Sequence, residues 1–219
     1  MNNENSIPKK QLKKLLAKLK EFEKQRLYND EWHNLYKEKR ILQRNLSLAK
    51  NQETAVLLDY PYPWDAGAPL PHVVSDGGMV FLIYYIDENS SAWKAQTHEI
   101  IDLDTGHRGI TALVEFKHCY NYKFGGVNEE VIHGHPLYEH GLEPYGVHEI
   151  INSKWIIEQE KINSVHGNYN HLSWEAYKHF IFTFHDELFE CIAEGYNIKI
   201  FKGRICSVFS EVTKKLFDR

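Results

Sequence analysis

Residues Tyr177–Phe201, YKHFIFTFHDELFECIAEGYNIKIF, decide how this chain folds. Phe180, Phe182 and Phe184 alternate with Ile181, Thr183 and His185, the two-residue period of a pleated strand. His185-Asp186-Glu187 supplies a tight turn, and Leu188–Ala193 follows at once as a second strand, so a hairpin is the cheapest closure. Gly195 marks another turn before Tyr196, Ile198 and Ile200 resume the alternation. One face of such a hairpin is almost wholly aromatic and must be covered by a second layer.

The flanking sequence supplies further strands. Thr54–Leu58, Met79–Ile86, Trp93–Leu103, Ile110–Tyr122 and Val147–Ile151 are read as strands, Met79–Ile86 as a central one because it is nearly all apolar. A helix is expected from a cap at Asn152 or Ser153 to about Val165, with Trp155 and Ile162 inward. Ser207–Leu216 closes the chain as a helix burying Val208, Val212 and Leu216.

Ahead of the strands, Leu12, Leu15, Leu16, Leu19 and Phe22 recur at helical spacing. Trp32, Leu35, Tyr36, Leu42 and Leu46 form a second stripe after the cap-forming Asn29-Asp30. The spacing predicts two helices with a corner near Asn29. The fold expected is α+β: an antiparallel or mixed β-sheet core with helices packed on one face, preceded by N-terminal amphipathic helices. Residues 1–50 form the basic helical segment, and 51–219 form a single domain with an ordered histidine-rich loop at 124–148.

Composition narrows the function classes. At 219 residues the chain suits one full core. It has no apolar run of the roughly 20 residues that a membrane span needs, and no apolar stretch follows the charged N-terminus as in a secretory signal. Three cysteines without CxxC spacing fit reduced thiols, so a soluble cytoplasmic protein is expected. Residues 1–50 hold 13 Lys/Arg against 6 Asp/Glu and the remainder 13 against 24, balances of +7 and −11. Such halves attract each other, so the basic helices are expected to dock on the acidic body, in cis or across a homodimer. Nucleic acid is the less favoured partner.

The loop Phe124–His148, FGGVNEEVIHGHPLYEHGLEPYGVH, holds five glycines, two prolines and four histidines. Its aliphatic and aromatic residues argue for order, with a short strand at Glu130–His133. Residues two apart in an extended segment project to one side, so His133 and His135 become candidate ligands of a divalent metal such as zinc. A third ligand would come from His140, His148, His118 or an acid. Glu130 and His148 are the candidate catalytic groups, Glu130 taking a proton from polarised water. Tyr62 and Trp64, in the proline-rich segment Tyr60–His72, and His185 at the hairpin turn are candidate ligand-binding residues. These assignments give a small enzyme, a metal-assisted hydrolase acting on a small polar substrate. The alternative is a non-enzymatic protein that binds a macromolecule through its acidic body, the 60–72 loop or its basic helices. HExxH, P-loop and dinucleotide fingerprints are absent, and Asp102 and Asp104 lack the rest of a calcium loop. Cys119 and Cys191 are disfavoured as nucleophiles, because His118 on a strand points away from its neighbour.

Overall fold

The computed structural model describes residues 6–91, 100–102 and 109–217. Two helices open the chain, α1 (Ser6–Lys24) and α2 (Asp30–Ala49), and the Asn29 side chain caps α2 by accepting from Trp32 N at 3.0 Å. Leu15 and Leu19 of α1 are buried, so the leucine stripe is a packing face.

Among the described residues, ten strands follow in two sheets. Sheet I has the order β1 (Thr54–Leu57), β7 (Val147–Ile151), β8 (Lys178–Thr183), β9 (Leu188–Ala193) and β6 (Asn121–Gly125), antiparallel throughout. Sheet II has the order β2 (His72–Ser75), β3 (Val80–Tyr85), β5 (Ile110–Lys117), β10 (Gly195–Lys202) and β4 (Ile100–Asp102), with only β10 and β4 parallel. Two further helices are α3 (Lys154–Asn163) and α4 (Ile205–Phe217). The class is the expected α+β. No helix among the described residues is long and apolar enough to cross a membrane.

The phenylalanine hairpin has its turn where the sequence puts it, and its two faces separate as the alternation requires. Phe180, Phe182, Phe184 and Phe189 meet Leu82, Tyr84, Val114 and Phe116 in the core between the sheets. Ile181 and Leu188 face the other way, against Ile132, Leu137 and Leu142 of the histidine-rich loop. On the far side of sheet II, α4 lays Val208 and Val212 over Phe81, Ile83, Leu113 and Phe201. The layers therefore run α2 and loop, sheet I, sheet II, α4.

Several local expectations are corrected. Ile110–Tyr122 is not one strand: the chain leaves sheet II at His118, which has φ of 46°, and enters sheet I as β6. Glu194 makes the return crossing beside it, and the two corners are tied by Glu194 N to Lys117 O at 3.0 Å and His118 Nδ1 to Glu194 Oε2 at 2.7 Å. Of the segment 93–103, residues 93–99 and 103 lie outside the described residues. Ile100–Asp102 is an edge strand on β10 and does not pair with β3. Helix α3 stops at Asn163 and leaves Ile162 58% exposed; it buries Trp155 and is capped by Ser153. Glu130–His133 is not a strand. Two 3-10 turns, Ile132–Gly134 and Tyr138–His140, sink Ile132 and Leu137 into sheet I, a placement that an extended chain cannot give both residues.

Candidate functional site

Helix α2 stacks Trp32, Tyr36, Arg40 and Arg44 at four-residue intervals along one flank. The loop 129–144 docks against that flank. The Arg40 guanidinium donates to the Tyr138 and Leu142 carbonyls and lies 4.3 Å from the Tyr138 ring centroid. The Tyr36 and Tyr138 hydroxyls are hydrogen-bonded, and Ser47 Oγ meets His140 Nδ1 at 2.7 Å. The close approach depends on Gly141. Its φ is 104°, and an added Cβ would sit 2.3 Å from the Ala55 carbonyl oxygen.

Between helix and loop runs a groove of about 700 Å³ with Leu57 and Ile132 among its apolar lining. Lys37, Arg40 and Arg44 line it from α2, and Glu129 and Glu143 from the loop. Arg40 is only 5% exposed, yet among the described residues no carboxylate pairs with it or with Arg44. A buried guanidinium held by two carbonyls and an aromatic face has no counter-charge, which favours an anion nearby. Two buried polar atoms of groove-lining residues have no hydrogen-bond partner among the described residues: the donor Trp32 Nε1 and the acceptor Glu129 Oε2. Orphaned atoms of this kind are rare in native proteins.

Beneath the loop, His148 is fully buried. Its Nε2 accepts from Glu143 N at 3.2 Å, and its Nδ1 has no hydrogen-bond partner among the described residues. Burial, reinforced by the Arg40 and Arg44 charges, lowers its pKa to about 3, so the ring is neutral. Along the same face of sheet I runs a second polar chain. Ser153 Oγ lies 2.9 Å from His179 Nδ1, and His179 Nε2 lies 3.3 Å from Glu190 Oε2. Burial pushes the Glu190 carboxyl up, but His135 at 4.0 Å, His179 and Lys123 together carry it well below the carboxylate range. Serine, histidine and carboxylate in series form nucleophilic triads elsewhere. Here the Ser153 oxygen also accepts from Ile156 N, and the residue is 5% exposed, so the chain ties α3 and the loop to the sheet.

The structure brings the sequence-predicted site residues together only in part. His133 lines the groove, whereas His135 turns to Glu190 and takes the Leu137 amide on Nδ1. The segment is a 3-10 turn, which removes the extended geometry that put both rings on one side. Among the described residues no group of three His, Cys, Asp or Glu side chains is arranged to hold a metal ion. Glu130 is exposed; its neighbour Glu129 faces the groove, with Oε1 3.2 Å from His185 Nε2. His185 is held between Glu129 and Asp186, and the Asp186 hydrogen bond raises its pKa. Trp64 is 5% exposed in the core between the sheets, 4.5 Å from Phe184, and Tyr62 packs against the same core. Cys191 is buried and its thiol is pushed up by that burial, while the Cys191 thiol lowers that of Cys119.

Arg40 and Arg44 are the functional candidates that the sequence reading missed, and of the adjacent Glu129 and Glu130 it is Glu129, not the expected Glu130, that lines the groove. The signal was the four-residue series Trp32, Tyr36, Arg40, Arg44, whose first two members were assigned to a hydrophobic stripe. Comparison of the chain with protein-family models, with curated proteins and with solved structures finds no match.

Proposed function

We propose that the protein is a non-enzymatic binding protein whose groove between α2 and the 129–144 loop receives a small anionic ligand. One observation carries this reading: Arg40 and Arg44 line the groove beside Lys37, and among the described residues no carboxylate pairs with either guanidinium. Its volume of about 700 Å³ lies within the roughly 300–1,000 Å³ of small-molecule sites. The hydrolytic reading draws on the same loop, but its metal form needs His133 and His135 to meet at one ion, and their rings serve different surroundings. The basic helices named in the binding alternative supply a wall of the groove, but the occupant proposed is a small anion and not the macromolecule expected there.

The test is titration with an anionic aromatic dye, anilinonaphthalene sulfonate, followed by its fluorescence. Binding to the wild type should weaken at least about tenfold in Arg44→Ala, a loss of about 1.4 kcal/mol. Arg44→Lys should recover part of it. Dye binding that ignores both substitutions would overturn the assignment of the groove.

A further inference from the structure

We infer that the outer face of α1 is a docking surface for double-stranded nucleic acid, held through its phosphate backbone without reading sequence. This surface is separate from the groove, and the inference does not depend on what the groove binds.

Helix α1 carries seven lysines against two glutamates. Its apolar stripe is used inside the protein: Leu15 and Leu19 are buried, Leu12 and Phe22 are half-buried, and the helix packs on α2. At 3.6 residues per turn, Lys9, Lys13, Lys20 and Lys24 fall within a sector of about 60° turned away from that stripe. The row they form is about 22 Å long at ~1.5 Å per residue. Glu21 and Glu23 flank it at its C-terminal end. All seven lysines are exposed, and among the described residues no carboxylate pairs with any of them.

The surroundings separate the anionic partners that such a row could meet. A membrane surface asks for an apolar face that inserts beside the basic one. Here α2 takes that face, and among the described side chains of α1 Leu16 is the one large apolar group left exposed. A single strand is held by aromatic platforms on which its bases stack, and the row has none. The acidic body of a second copy is the third partner. Its excess charge is dispersed, because Glu53, Glu115, Glu139, Glu149 and Glu190 already hold lysines of their own. A duplex needs neither insertion nor stacking. It presents one negative charge per ~1.7 Å of axis along a stiff rod, and a straight row of cations releases its counterions without ordering a flexible chain. The row offers no arginine fork or side-chain amide to read base edges, so the contacts are to phosphate alone.

The experiment is fluorescence anisotropy of labelled RNA and DNA duplexes of about 20 base pairs, titrated with the full chain over a salt series. Both should bind at low salt, the DNA with a log–log salt slope of about −3 to −4, at ~0.9 per phosphate contact. Lys13→Gln/Lys20→Gln/Lys24→Gln should weaken binding at least about tenfold and flatten the slope by about two to three. Lys117→Gln/Lys161→Gln/Lys199→Gln removes the same charge from exposed positions elsewhere and should change affinity less than about twofold. Equal losses in the two triple variants would overturn the inference, and so would a single strand bound as tightly as the duplex. Lysine-dependent binding to phosphatidylserine vesicles without duplex binding would assign the row to a membrane and overturn it. A dimer in sedimentation that dissolves in the first variant would overturn it in favour of a second copy. Failure of both duplexes to bind at low salt would leave the row a solvated face and end the inference.

Discussion

Sheet II turns Phe81, Ile83, Leu113 and Phe201 outward, with Thr111 as their polar neighbour, and a single helix covers them with Val208 and Val212. Sheet I mixes Ile150, Ile181 and Leu188 on its outer face with His148, His179 and Glu190, and it takes a loop and parts of two helices to cover them. Apolar burial is non-directional, so α4 needs only a matching stripe. Buried imidazoles and carboxylates must each find a partner at fixed geometry, and they contribute little net stability for that cost. A protein built only to stand up could have used the first solution twice. The polar solution occurs on the side that holds the groove.

Substitutions on the two faces should therefore fail differently. Phe81→Ala on the apolar side should cost about 3–5 kcal/mol in chemical denaturation, while groove binding at a permissive temperature stays intact. Loss of binding without loss of stability would erase the distinction. On the polar side, Gly141→Ala forces a Cβ onto the Ala55 carbonyl at positive φ. It should cost about 2 kcal/mol or more and abolish binding at temperatures where the fold persists.

A pH series sharpens the contrast. The folded pKa of His148 is about 3, below the roughly 6.5 of an unfolded histidine. Its neutral form thus contributes stability that is fully present above pH ~6.5 and is lost as pH falls towards 3. In that window its share of the slope approaches about 1.4 kcal/mol per pH unit. His148→Gln should flatten the acid limb of a stability–pH curve, and an unchanged slope would mean that the ring is hydrated or protonated. The smallest effect is expected from Ser153→Ala, which removes the cap of α3 and the partner of His179. A loss of about 1 kcal/mol, measured as a lowered denaturation midpoint, fits a structural chain. A loss near zero would show that α3 holds without it.

These contrasts also explain what was readable in the sequence. The Phe180–Phe182–Phe184 alternation and the Asn29 corner were legible because strand period and helix capping are local. The switch of sheets at His118 was not. The apolar alternation continues across it, and a left-handed non-glycine residue leaves no compositional trace. The apolar residues of the loop are legible in the sequence, but its 3-10 turns depend on where sheet I lies beneath Ile132 and Leu137. The groove was the least legible, because Arg40 and Glu129 come within reach only once distant segments dock.

The same separation sets an order in time. β1 pairs with β7, so Leu57 waits for His148 before its strand has a neighbour. At synthesis rates of roughly 5–20 residues per second, that interval is on the order of 5–20 seconds. During it α1 and α2 have only each other to pack against, and their exposed lysines keep the nascent segment from self-association. The loop wall of the groove packs on Ile181 and Leu188 of sheet I, so a ligand cannot template the early helices and captures only a chain whose hairpin has been made.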